Sequence, residues 1–248
     1  MTQTVFISDL HLSPERPDIN RLFFDFLERI TAATDRLYIL GDLFEYWIGN
    51  DAANALGQTQ VLAALRDLTR KGIPVHVMRG NRDFLLNEAF SQATGCELIS
   101  DPSVVEIYDR PTLLTHGDRL CTDDHKHQQF RDLVDDPEWQ RWFLAKPVSE
   151  RIRLATDARS RSELNKSITA MEIMDVNPAA VSAALRQHGV DLMIHGHTHR
   201  PAFHDVIMGR TRACRIVLGD WFQHSNMLRW RPPADIAFAA DSDAVNRA

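Results

Sequence analysis

The chain has 248 residues, is 44% hydrophobic and 25% charged, and carries a formal net charge of −6. Such a chain can bury a substantial core as one domain or as one domain with an insertion, and it shows no signature of disorder or repeats. Its acidic balance argues against general nucleic-acid binding, which needs clustered Lys and Arg to release counterions, so no nucleic-acid partner is expected.

Met1 to Thr4 run straight into a first apolar segment, Val5-Phe6-Ile7, leaving no room for a charged stretch followed by a hydrophobic leader. With no apolar run of membrane-spanning length either, the expectation is a cytosolic protein, at most peripheral to a membrane. Val5-Phe6-Ile7 reads as a strand leading into Asp9-Leu10-His11, and Leu37-Tyr38-Ile39-Leu40 as a second strand leading into Gly41-Asp42. Between them, Ile19, Leu22, Phe23, Phe26, Leu27 and Ile30 recur at helical spacing. Val61, Leu62, Leu65 and Leu68 do the same after the second block, and Ile73 to Met78 reads as a third buried strand ending at Gly80-Asn81-Arg82-Asp83. This βαβαβ order predicts parallel strands with helices against the sheet, and it puts the polar blocks where α/β active sites lie.

Val104 to Tyr108 and Thr112 to Thr115, separated by Asp109-Arg110-Pro111, read as a hairpin whose second strand ends at His116-Gly117-Asp118. After Asp191 another strand ends in His195-Gly196-His197-Thr198-His199, and Arg215 to Leu218 and Met227 to Trp230 are further strand-like runs. The predicted fold class is α/β, with two packed mixed sheets flanked by helices and an inserted helical cap. The core comprises 1–121 and 179–248, and the cap 122–178, where strand signals vanish. From Lys126 to Lys166 the cap holds nine Lys and Arg against seven Asp and Glu, making it mildly basic in an acidic protein. Phe130, Leu133, Val134, Trp139, Trp142 and Phe143 recur there at three- and four-residue spacing. They serve either to pack the cap on the body or to face an apolar substrate or a membrane surface.

The polar blocks together offer Asp, Asn and His groups suited to manganese, iron or zinc. In an extended strand, residues i and i+2 share a face, so Asp9 with His11, and His197 with His199, are expected to point the same way if strand geometry persists. Gly196 would permit close backbone approach. Cys96, Cys121 and Cys214 form neither a CxxC nor a paired framework, and read as small buried residues in a reducing compartment.

In order and spacing these blocks resemble the calcineurin-like metallophosphoesterases, whose pattern is D-x-H, G-D, G-N-H-[DE], H-G and G-H-x-H. The resemblance implies that Asp9, His11, Asp42 and His199 bind one metal, that Asp42, Asn81, His116 and His197 bind a second, and that Asp42 bridges them. His195 would stand behind the ligands. Two cations about 3.5–4 Å apart would activate a water and neutralise charge on the phosphoryl oxygens. Asp42, Asn81, Arg82 and His116 are the implied catalytic residues.

One position departs from the wider pattern. Arg82 stands where the family keeps a His able to protonate a departing alkoxide. A guanidinium stays charged and cannot donate its proton, but it can stabilise negative charge through two hydrogen bonds. The expected leaving group is therefore a phosphate released from a pyrophosphate rather than an alcohol.

Within the family, the chain is most similar to the UDP-2,3-diacylglucosamine diphosphatases of lipid A biosynthesis. The similarity rests on Phe6 to Leu12, Tyr38 to Glu45, Gly80 to Leu85, His116 to Asp118 with Leu120 to Asp124, Ile173 to Val176, Ile194 to Pro201 and Val217 to Trp221. It implies hydrolysis of the pyrophosphate of UDP-2,3-diacylglucosamine by attack of water on the α-phosphorus, giving UMP and the acylated sugar 1-phosphate. It also implies two manganese ions and peripheral association with the cytosolic face of the inner membrane. Asn81, Arg82, Asp124, Ser162 and His197 are implied substrate contacts. Beyond Ser162, Lys166 and Thr169 replace the Asn and Lys usual in this branch, so Lys166 either supplies the positive charge from a new position or is an ordinary solvated residue. Asp124 either touches substrate or caps the first cap helix. A different nucleotide anhydride, such as a dinucleoside polyphosphate, and a catalytically silent scaffold are the alternative readings.

Overall fold

In this computed structural model the described residues are 2–30, 33–168, 175–222 and 226–240. The predicted βαβαβ unit forms as β1 (Gln3–Ile7), α1 (Pro17–Arg29), β2 (Thr34–Leu40), α2 (Thr59–Arg70) and β3 (Val75–Met78). Its strands are parallel, with Val5 opposite Leu37 and Ile39 opposite Val77. Pro17 starts α1, where its missing N–H costs nothing. Ile19, Phe23, Phe26 and Leu27 form the buried face of that helix.

Next come α3 (Glu88–Thr94) and β4 (Glu97–Ile99), a short helix and strand that periodicity did not reveal. Asn87 caps α3 by accepting from the Ala89 N–H, and Gly95 closes it at a positive φ of 74°. The hairpin follows as β5 (Ser103–Ile107) and β6 (Arg110–Thr115). Its turn is Tyr108-Asp109, not the three residues expected: both have positive φ, 49° and 62°, as a tight two-residue hairpin turn requires. Arg110 and Pro111 already belong to β6, and Pro111 precedes the stretch of β6 that bonds to its parallel neighbour.

Helices α4 (His125–Asp135), α5 (Pro137–Leu144) and α6 (Val148–Ile168) then occupy the predicted insert, followed by α7 (Pro178–His188). The chain finishes with β7 (Leu192–His195), β8 (Ala202–Met208), β9 (Thr211–Val217), β10 (Asn226–Arg231) and β11 (Asp235–Ala240). The six-stranded sheet has the order β11-β10-β1-β2-β3-β4 and the five-stranded sheet β5-β6-β7-β9-β8. Both are mixed: β10, β11, β5 and β8 run antiparallel to their neighbours.

Strand alternation explains the layering. Phe6, Tyr38, Leu40 and Met78 from one sheet meet Leu114, Leu192, Ile194 and Ile216 from the other in the core between the sheets. Their neighbours Val5, Ile7, Leu37, Ile39, Val75 and Val77 face outward onto α1 and α2. Leu113 and Met193 do likewise against Val181 and Leu185 of α7. Burial on both faces accounts for the continuous apolar runs, as in other parallel sheets covered by helices. No described helix is long and apolar enough to cross a membrane.

Candidate metal centre

Five strands, β1, β2 and β3 of one sheet and β6 and β7 of the other, carry a ligand block just past their C-terminal ends. The strand geometry expected to align these side chains does not persist. Asp9, His11, Asp42, His197 and His199 all have positive φ, from 51° to 68°, the left-handed region that non-glycine residues seldom occupy. Each such residue costs on the order of 1 kcal/mol or more. Bonds between the loops hold them there. Asp9 N donates to Gly41 O at 3.1 Å, and Leu10 and His11 N–H both donate to Asp42 O at 3.0 Å. Glycine is required where these loops touch. A methyl group on Gly80 would collide with the Asp42 carboxylate, and one on Gly196 with Asp9 and Ser8.

The turn at His197 separates it from His199 instead of pairing the two. His199 Nε2 stands 3.3 Å from Asp9 Oδ1, and its ring lies 5.6 Å from that of His11. His197 Nδ1 instead stands 3.0 Å from Asn81 Oδ1, which lies equally close to His116 Nε2. Two ligand groups result. Asp9, His11 and His199 converge on one side, Asn81, His116 and His197 meet on the other, and Asp9 and Asp42 both also lie close to His116. Asp42 lies between them, with Oδ2 3.8 Å from His11 Nε2 and Oδ1 3.7 Å from His116 Nε2. All seven candidate ligands are thus brought together.

Surrounding acceptors fix how the imidazoles are presented. His116 Nδ1 donates to Leu40 O at 2.9 Å, leaving Nε2 toward the site, and His199 Nδ1 faces Asp220 Oδ2 at 3.2 Å. A ligating His normally gives its other ring nitrogen to such a partner. Asp83 braces the loops by accepting from Gly80 N at 2.7 Å and from Leu43 N at 2.8 Å. Asp83 fills the acidic position of the G-N-H-[DE] block without being assigned a role, and Asp220 carries no spacing signal of its own, so what each does emerges only here. His195 is fully buried, with Nε2 accepting from Arg215 Nη1 at 3.1 Å, and it stands behind the ligands as expected.

The donor set fits divalent cations. Asp9 Oδ1 and both ring nitrogens of His11 are buried without a hydrogen bond of good geometry, and buried polar atoms rarely remain so. The site's charge also demands cations. Burial opposes protonation of His199, but Asp9 and Asp220 outweigh it and raise its pKa to about 10. At His116 burial is likewise overcome, by Asp42, Asp118 and Asp9, giving about 9. His11 goes the other way: burial outweighs Asp42 and Asp9 and lowers it to about 4. Burial and the Asp42 charge together push Asp83 up to about 7.

Arg82 borders this centre, its backbone N–H donating to Asp42 Oδ1 at 2.8 Å and Nη1 lying 3.8 Å from Glu45 Oε1. Asp124 caps α4, its Oδ1 accepting from His127 N at 3.0 Å, so the capping alternative is realised at one of its oxygens. Ser162 and Lys166 fall on α6, but their side chains, like Thr169, lie outside the described residues. Helix α4 is riveted to the ligand loops by buried Arg131, whose Nε lies 2.8 Å from Asp118 Oδ2 and whose Nη1 donates to Gly80 O at 3.4 Å.

Of the insert's apolar residues, Val134 and Phe143 are buried in packing, while Leu133 and Trp142 are about half exposed. Phe84, two residues after Arg82, links the two regions: its ring lies 6.2 Å from Phe130 and 6.0 Å from Trp139. The three cysteines are free, and none joins a potential metal-binding group among the described residues.

The sequence profile of the calcineurin-like phosphoesterases matches residues 2–201. A protein of Stenotrophomonas maltophilia named UDP-2,3-diacylglucosamine hydrolase is 48% identical over 233 residues, covering 91% of this chain and 94% of its own. One of the same name from Xanthomonas campestris is 46% identical over the same shares of both chains. A solved archaeal phosphodiesterase covers 96% of this chain and 99% of its own, at 12% identity and a TM-score of 0.49.

Proposed function

Since the chain belongs to the calcineurin-like phosphoesterase family, we propose that it is a metal-dependent hydrolase of UDP-2,3-diacylglucosamine in lipid A biosynthesis, cleaving the pyrophosphate at the α-phosphorus. The products are UMP and 2,3-diacylglucosamine 1-phosphate. Asp42 carries the reading: one carboxylate turns an oxygen toward each of two separate ligand groups, which a single-metal site has no use for. The substrate follows from the relatives, which share that name across nine-tenths of this chain.

Asp9, His11, Asp42 and His199 would hold one divalent cation, and Asp42, Asn81, His116 and His197 the other, manganese in our reading. Bound there, the two ions supply an activated water and neutralise phosphoryl charge. The chain's own groups do the rest. Leu40 and Asp220 fix the ring orientations of His116 and His199. The Arg82 guanidinium meets charge growing on the departing phosphate through paired N–H groups. That leaving group, a phosphate monoester, departs without a proton, so no acid is needed where Arg82 stands.

The insert of 122–178 is read as a cap, and Asp124, Ser162, Lys166 and Thr169 as its substrate contacts, the side chains of the last three lying outside the described residues. Each acyl methylene buried contributes about 0.8 kcal/mol, so even part of a chain adds substantially to binding. Trp142, half exposed and with Lys146 Nζ 4.2 Å above its ring, suits an aromatic and cationic edge resting on the cytosolic face of the inner membrane.

The deciding experiment offers purified protein UDP-2,3-diacylglucosamine beside soluble nucleotide anhydrides, with Mn2+ and with chelator. Metal-dependent release of UMP, with the lipid substrate strongly preferred, is expected. Preference for a dinucleoside polyphosphate would overturn the substrate assignment.

A further inference from the structure

We infer that Glu45 is a positioning residue joining helix α6 to the first metal position, an inference that rests on the metal-dependent hydrolase reading above. Glu45 lies three residues beyond Asp42, and its backbone N–H donates to Leu12 O at 3.1 Å, fixing it to the loop that carries Asp9 and His11. Its side chain is largely buried, and its two oxygens face different partners. Oε2 stands 3.5 Å from His11 Nδ1, near enough to orient the ring by its charge but short of a well-formed hydrogen bond, while His11 Nε2 faces Asp42. A carboxylate on the far nitrogen of a ligating imidazole fixes the ring and raises its basicity. Oε1 meets two guanidiniums: Arg159 Nε from α6 at 3.0 Å and Arg82 Nη1 at 3.8 Å.

Among the described residues, one anion therefore holds the Arg82 and Arg159 guanidiniums together beside the metal position. Guanidinium forks match phosphoryl oxygens as well as they match a carboxylate. Loss of the Glu45 charge would let Arg82 and Arg159 repel each other and would free the His11 ring. It would thus disturb substrate and metal binding together, although Glu45 is itself neither a ligand nor a substrate contact.

Glu45→Gln keeps the shape and removes the charge; Arg159→Ala removes the α6 partner from a part-exposed position. Mn2+ affinity is read by calorimetric titration of the full chain after chelation, and KM and kcat on UDP-2,3-diacylglucosamine are measured with saturating Mn2+. Glu45→Gln is expected to weaken Mn2+ binding about tenfold or more and to raise KM, with the melting temperature little changed. Arg159→Ala should raise KM more than it lowers kcat and leave Mn2+ affinity as in the wild type. Unchanged Mn2+ affinity in Glu45→Gln, or unchanged KM in Arg159→Ala, would overturn the inference. If Glu45→Gln fails to fold, Arg159→Ala still decides. A wild-type protein that binds Mn2+ but does not turn over this substrate would instead sink the substrate reading, and the Mn2+ titrations would still judge Glu45.

Discussion

The ligand loops and the helical segment from α4 to α6 solve opposite problems. The loops are buried, strained and cross-bonded, with five of seven candidate ligands at positive φ and Asp42 shared between two groups. Among the described residues, the helices are tied to the body by charged side chains as well as by apolar packing. Arg131 pairs with Asp118, and buried Arg151 pairs with Asp51, donates to Ile48 O and donates to Lys146 O at 3.0 Å. Their outer surface leaves Leu133 and Trp142 exposed. Phosphoryl chemistry needs fixed charges in a fixed place, and strain is tolerable where neighbouring loops over-determine the backbone. Recognition of a flexible acyl chain needs apolar area more than exact geometry, and on the reading proposed above the exposed helix faces would provide it.

This contrast is sharpest at Asp42. Asp42→Ala should lower kcat on the order of 10³-fold or more while the far-ultraviolet circular dichroism stays native, because both ligand groups lose a shared charge. Catalysis within tenfold of wild type would break the view that the loops act as one unit.

Proton linkage probes the same loops without mutation. The ion-free folded site holds His199 and His116 protonated up to about pH 10 and 9. Cations must displace those protons, so binding releases protons at pH 7 and strengthens as pH rises toward 9. With two protons displaced, affinity for the ion pair should gain about 100-fold per pH unit. Calorimetry in buffers of different ionisation enthalpy measures the release directly, and a pH-independent affinity would contradict the charge balance of the site.

Arg82 lies where the two regions meet. Arg82→Lys keeps the charge but loses the paired geometry, so kcat/KM should fall by about tenfold or more. Arg82→His should recover a proton donor and raise turnover of alkyl phosphodiesters relative to the pyrophosphate. Unchanged selectivity in that variant would count against the leaving-group argument.

The smallest effect is expected on the helices. Trp142→Ala should weaken binding of a long-chain substrate by about fivefold, roughly 1 kcal/mol for a half-exposed ring, and leave a short-chain analogue nearly unaffected. Equal losses for both substrates would show that Trp142 does not meet the acyl chains.

Much of this was legible in the sequence because it is local. Apolar runs ending at Ile7, Leu40, Met78, Thr115 and His195 placed the blocks at strand ends, and the alternation of strand and helix gave the parallel order. Helices α3 and α7, the short strand β4, the edge strand β8 and the last described strand β11 escaped notice. Three residues carry too little periodicity, and an edge strand that alternates between half-buried and exposed lacks a continuous apolar run.

By itself the sequence determined which side chains are present, their order, and that Arg82 takes the place of a proton donor. The family resemblance already implied how they divide, and the tertiary structure supplies the reason. The i, i+2 rule that grouped His197 with His199 applies only while the backbone is extended, and both residues adopt positive φ. Bonds between loops far apart in sequence hold them there, such as His197 N to Asp9 Oδ2 at 2.9 Å. Asp220 behind His199 and Glu45 behind His11 likewise gain meaning only when separate loops meet, because a partner that acts through space leaves no spacing to read along the chain.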